Sequence, residues 1–66
     1  MSRNGEFLIY CIEIYKNAKS LSGNDVLKLF GKYNADSYIL DNFEALHLSG
    51  EKYIIADIDD FIAHHS

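Results

Sequence analysis

Proline and tryptophan are both absent from this chain, and cysteine occurs once. The lack of proline leaves nothing to kink or halt a helix from within, so the sequence favours uninterrupted helices. A single thiol excludes any intrachain disulfide, and with it the cross-linked scaffolds that small secreted domains rely on. No basic leader followed by a small-residue cleavage site is visible at the start. The longest apolar run falls well short of the roughly 20 residues needed to cross a bilayer. These absences point to a cytoplasmic protein. Basic residues are also scarce, six against ten acidic ones, and they are unevenly placed. Residues 1–33 hold Arg3, Lys16, Lys19, Lys28 and Lys32 against Glu6, Glu13 and Asp25, five cations to three acids, a balance of +2. Residues 34–66 hold Lys52 alone against Asp36, Asp41, Glu44, Glu51, Asp57, Asp59 and Asp60, one to seven, a balance of −6. Such an acidic half repels phosphates and membrane surfaces and attracts basic partners.

What is abundant is apolar surface. Hydrophobic residues make up 48% of the 66, and aromatics 14%, a composition that argues against disorder. The chain is read as one small helical domain over residues 1–66. A domain of this size buries only about 60% of its unfolded surface and is marginally stable alone. The apolar residues are concentrated first in Phe7-Leu8-Ile9-Tyr10-Cys11-Ile12, resumed by Ile14 and Tyr15 after Glu13. At about 100° per residue, Phe7, Leu8, Cys11, Ile14, Tyr15 and Ala18 share a broad face, and Glu6, Glu13, Asn17 and Ser20 form a narrow stripe on the other side. Ile9, Tyr10 and Ile12 spill beyond what a surface helix needs to bury. A helix so widely apolar is either the centre of its own fold or partly covered by another protein.

Helix one is expected from Asn4 to about Ser20, with Lys16 and Lys19 suited to its C-terminal dipole. Ser22 and Asp25 have the spacing of a capping box, and Val26, Leu29, Phe30 and Tyr33 follow at helical intervals. Gly31 falls roughly opposite that stripe. Asn34 and Ala35 make a short turn, Asp36 or Ser37 caps helix three, and Ser49 and Gly50 close it, with Gly50 the natural left-handed residue. Lys52 to Ala56 contains Tyr53, Ile54 and Ile55 after a glycine, which predicts a short β-strand. Asp57 then caps a fourth short helix, with Ile58, Phe61 and Ile62 turned inward. The expected fold is mainly α: a small bundle of three helices, then a short strand, then a fourth short helix. A lone strand leaves its backbone groups for another chain to pair.

Residues that could carry chemistry are few. Asp57, Asp59 and Asp60 lack the spacing of a calcium loop, and helix capping explains them without a metal. His47, His64, His65 and Cys11 lack zinc-site spacing, and Cys11 sits on the most apolar face, where a thiol is buried and inert. No phosphate-binding glycine loop or nucleophile elbow is present. No catalytic, metal or cofactor residue is therefore expected, and an enzyme is not. A helix-turn-helix DNA-binding regulator is the alternative reading. However, helix three would offer Ser37, Asp41, Asn42, Glu44 and Ser49 to the groove, without one cation. The residues expected at a protein interface are Ile9, Tyr10 and Ile12, with Tyr53 and Ile54 for strand pairing. The partner is another protein or a second copy of this chain.

Three stretches carry a resemblance: Glu6 to Glu13; Leu21-Ser22-Gly23 leading to Val26 and Leu29-Phe30; and Tyr53-Ile54-Ile55 leading to Asp57-Ile58-Asp59-Asp60-Phe61-Ile62. In their combination and spacing the chain resembles a family of small uncharacterised bacterial proteins, the domain-of-unknown-function family thirty-seven ninety-one. Gly31 departs from the pattern, where a lysine or another good helix former would suit better. The resemblance implies a short stand-alone protein. It also implies a neighbour resembling an ADP-ribosyltransferase, as in toxin–antitoxin pairs. The leading expectation is thus a non-enzymatic module that binds and neutralises such a toxin. No catalytic residue is carried over.

Overall fold

The computed structural model describes residues 3–65, all arranged around the first helix. Helix α1 runs over Arg3–Lys19. Helices α2 (Gly23–Tyr33), α3 (Ala35–Asp41) and α5 (Glu51–His65) all pack directly against it, and the one-turn α4 (Phe43–Leu46) follows α3. The central-helix alternative for the apolar run is therefore realised for most of its residues. Cys11, Ile14 and Tyr15 are buried, and Phe7, Leu8 and Ile12 lie against the core. Ala18, expected on the same face, is exposed because the helix is ending there. The remaining core comes from Val26 and Phe30 of α2, Ala35 and Ile39 of α3, Leu46 of α4, and Ile54 and Ile58 of α5.

Helix α1 stops at Ser20, whose φ of 55° is left-handed. The Leu21 N–H then reaches back five residues to the Lys16 carbonyl at 3.0 Å, closing the helix end with the six-to-one bond of a Schellman turn. Helix α2 opens with the expected capping box: the Asp25 N–H donates to Ser22 Oγ at 3.1 Å, and the Asp25 carboxylate faces the Ser22 N–H at 3.5 Å. Gly31 lies inside α2 with open space around its Cα, so the helix passes through it. Asn34, at φ 57°, is the whole of the corner between α2 and α3. Asparagine tolerates this conformation better than most residues. Ala35 follows at once and is fully buried, so the corner sits hard against the core.

Several expectations need correction. Neither Asp36 nor Ser37 caps the third helix, because α3 already begins at Ala35 with Asn34 at its N-cap position. The expected strand over Lys52–Ala56 is helix: it forms the first turns of α5, and no strand occurs among the described residues. Ile54, Ile55, Ile58, Phe61 and Ile62 continue one helical interval straight through Asp57, and that burial outweighs the β-preference of Tyr-Ile-Ile. Asp57 accordingly lies mid-helix and caps nothing. The third helix is not continuous either. Asn42 takes φ −109° and ψ 21°, and its side-chain Nδ2 donates to the Tyr38 carbonyl at 2.8 Å, dividing α3 from α4. Finally, no glycine among the described residues has positive φ. Gly50 instead immediately precedes α5, its carbonyl accepting the Ile54 N–H at 3.0 Å.

Burial also sets an alkaline limit on this fold. Desolvation raises the Cys11 thiol from 9.0 to about 11. Desolvation, then the hydrogen bond and charge of Asp57, raise the Tyr38 phenol from 10.0 to about 12. Both native groups hold their protons at a pH where the unfolded chain has lost them. Their contribution to stability is intact below about pH 9 and falls as pH rises to about 12. Urea midpoints are expected to drop across that window, and less steeply in Tyr38→Phe. A midpoint constant to pH 12 contradicts this.

Candidate functional site

The residues expected at an interface divide sharply once folded. Ile9 (51% exposed), Tyr10 (45%) and Tyr53 (62%) remain at the surface. Ile12 is half-buried against the core, and Ile54 is 1% exposed. Ile54 cannot pair with a partner strand, because the segment is helical and the side chain is inside. Two further large apolar residues are exposed, Leu27 (55%) and Leu48 (81%). Leu27 was visible in the sequence, since it falls about 100° from Val26 and off the Val26–Leu29–Phe30–Tyr33 stripe. Leu48 gave no periodic signal because it lies in the turn between α4 and α5.

Tyr10 belongs to a half-buried aromatic group at the start of α1. Its ring lies 6.0 Å from that of Phe7, and Phe7 meets Phe43 edge-on at 5.4 Å. On Phe43 rest the His47 imidazole, stacked at 4.5 Å, and the Arg3 guanidinium, 5.8 Å from the ring centre. The arrangement follows from sequence spacing. Phe7 and Tyr10 are three residues apart on α1, and Phe43 and His47 are four apart across α4, so each pair shares a face. The His47 ring nitrogen Nδ1 contacts the Phe43 carbonyl at 2.7 Å and fixes the stack. Aromatic and arginine side chains of this kind are over-represented in the centres of protein interfaces.

The second aromatic group joins α3 to α5. Tyr38 stacks on Phe61 at 4.2 Å, and Phe61 stacks on His65 at 4.2 Å. The Tyr38 hydroxyl donates to Asp57 Oδ2 at 2.9 Å. The three neighbouring carboxylates of α5 diverge. Asp57 faces Tyr38, Asp59 accepts from the Tyr15 hydroxyl at 2.7 Å and from Lys19, and Asp60 lies 3.5 Å from His64 Nδ1. Asp59 thereby ties α5 to α1. Desolvation and the same carboxylate push the Tyr15 phenol well above its usual range.

Among the described residues no three His, Cys, Asp or Glu side chains gather as metal ligands, and no cavity is enclosed. Cys11 is fully buried, with its thiol held protonated. No helix of the described residues is long and apolar enough to cross a membrane.

The family described as a protein of unknown function, DUF3791, matches residues 6–65. The chain belongs to that family. No curated protein and no solved structure matches it. The DUF3791 match takes in all of α2 to α5 and α1 from its first turn onward. The three stretches that carry the resemblance fall on the centre of α1, on the α1–α2 corner with its capping box and the α2 core residues, and on most of α5.

Proposed function

We propose that this DUF3791 protein is a non-enzymatic, cytoplasmic protein-binding module, the antitoxin-like neutralising partner of an ADP-ribosyltransferase-like toxin. The observation that carries the binding reading is the exposure of Ile9 and Tyr10 on the helix that forms the middle of the core. Water faces nearly half of each side chain, and Tyr10 continues into the Phe7–Phe43–His47–Arg3 group. Large aromatic anchors rimmed by polar groups are what dominate binding energy at protein interfaces. The toxin as partner is supported by the family resemblance and by the acidic second half of the chain, which suits a basic surface.

Tyr10→Ala is the decisive variant. Its ring touches Phe7 only at the margin of the core, so the isolated chain is expected to stay helical. Loss of such an anchor costs about 2 kcal/mol or more of binding, roughly thirtyfold in affinity. Co-expression with an ADP-ribosyltransferase-like toxin gives the readout. The natural chain is expected to restore growth and co-purify with the toxin, and Tyr10→Ala to do neither. Unfolding of Tyr10→Ala would return that residue to the monomer's core. A second copy as sole partner would appear as a concentration-dependent dimer in sedimentation, with no toxin bound.

A further inference from the structure

We propose that the face shared by α3 and α5 docks an arginine-bearing basic segment of a partner protein. The inference rests on the reading of this chain as a binding module, and it supplies the chemistry of what is bound. The face is built from Tyr38, Tyr53, Asp57, Asp60, Phe61 and His65. Tyr38 joins the two helices there: it stacks on Phe61 and donates to Asp57. Tyr53, Asp57 and Asp60 stand at helical intervals of four and three along α5, so the ring and both carboxylates share one stripe. Tyr53 is the most exposed aromatic side chain of the described residues.

Charge identifies the occupant. Asp59 is matched by Lys19, but among the described residues no lysine or arginine pairs with Asp57 or Asp60. His64 stands beside Asp60, and His65 lies on the same face, stacked on Phe61. An exposed tyrosine ring on the same stripe as carboxylates that no lysine or arginine of the described residues pairs suits a planar cation. A guanidinium stacks on a tyrosine ring while its fork of N–H donors meets a carboxylate. An ammonium offers no plane to stack and is more strongly hydrated. A second copy of the chain is a poor occupant. Its sole arginine, Arg3, already lies over Phe43, and two copies at −4 each repel.

The test is an amide-resonance titration of the full chain with a short arginine-rich peptide, a lysine-rich peptide of equal length and charge, and an acidic control. Shifts are expected to concentrate at Tyr38, Tyr53, Asp57, Asp60, Phe61 and His65, with arginine binding tighter than lysine and both weakened by salt. Tyr53→Ala is expected to weaken the arginine peptide about two- to fivefold, the span of an exposed cation–π contact. Asp57→Asn with Asp60→Asn is expected to weaken it about tenfold, while asparagine at 57 still accepts from Tyr38. Glu6→Gln with Glu44→Gln removes the same charge elsewhere and is expected to change affinity less than about twofold. Equal losses in the two double variants, equal affinity for the lysine and arginine peptides, or shifts spread over every carboxylate would overturn the proposal. Because the peptide assay does not involve Tyr10, failure here with toxin capture still sensitive to Tyr10→Ala removes this inference alone. Failure of toxin capture with the peptide result intact removes only the identity of the toxin.

Discussion

Phe30→Ala is expected to leave the chain largely unfolded at room temperature. The ring is 1% exposed, meets Tyr15 edge-on at 5.3 Å, and lies among the buried residues that α2 contributes to the core. Deleting a buried phenylalanine costs about 3–5 kcal/mol, through lost transfer energy and the cavity left behind. A domain of this length holds roughly 3–10 kcal/mol in total. The loss therefore consumes from about a third of the margin to all of it. Circular dichroism on heating would register the loss as a broad, low-amplitude transition. Leu27→Ala on the same helix, at 55% exposure, is expected to change stability by no more than about 0.5 kcal/mol. Similar melting curves for the two variants would mean that α2 faces the core by some other side.

Ile54→Asp is expected to be as damaging, and it tests whether Lys52–Ala56 is a core-facing helix rather than a strand. Its side chain is 1% exposed, and an unpaired carboxylate there would either ionise in apolar surroundings or draw a proton at a cost of several kcal/mol. Tyr53→Asp, one residue earlier and 62% exposed, should leave the fold standing. The pair is read by a single urea titration each. A well-folded Ile54→Asp would place that residue at the surface, where the strand-pairing expectation had put it.

The parts of this fold legible in the sequence were those governed by local rules. The α2 entry followed from Ser22 and Asp25 because a capping box is closed within four residues. The α1 span followed from an apolar interval long enough to admit no other period. The family assignment was legible for the same reason, since its motifs fall on those elements. What escaped was decided at longer range. Tyr53, Ile54 and Ile55 favour a strand only when considered alone. Their fate depended on Ile58, Phe61 and Ile62 extending the same stripe onto α1 and α3. The break at Asn42 depended on an amide choosing a backbone carbonyl over water. Ile12 was assigned to an interface because a helical wheel shows how wide an apolar face is, not how many neighbours surround it. Here three helices do, and the surplus shrinks to Ile9 and Tyr10. The two aromatic groups were likewise invisible, since each joins residues from separate helices.

Because α1 is enclosed by helices that come after it, it is made before any of the segments that shelter it. Tyr15 must wait 44 residues for Asp59. A nascent chain that lacks α5 thus keeps part of its greasiest stretch in water. Any cut within α5 should condemn the whole polypeptide to degradation.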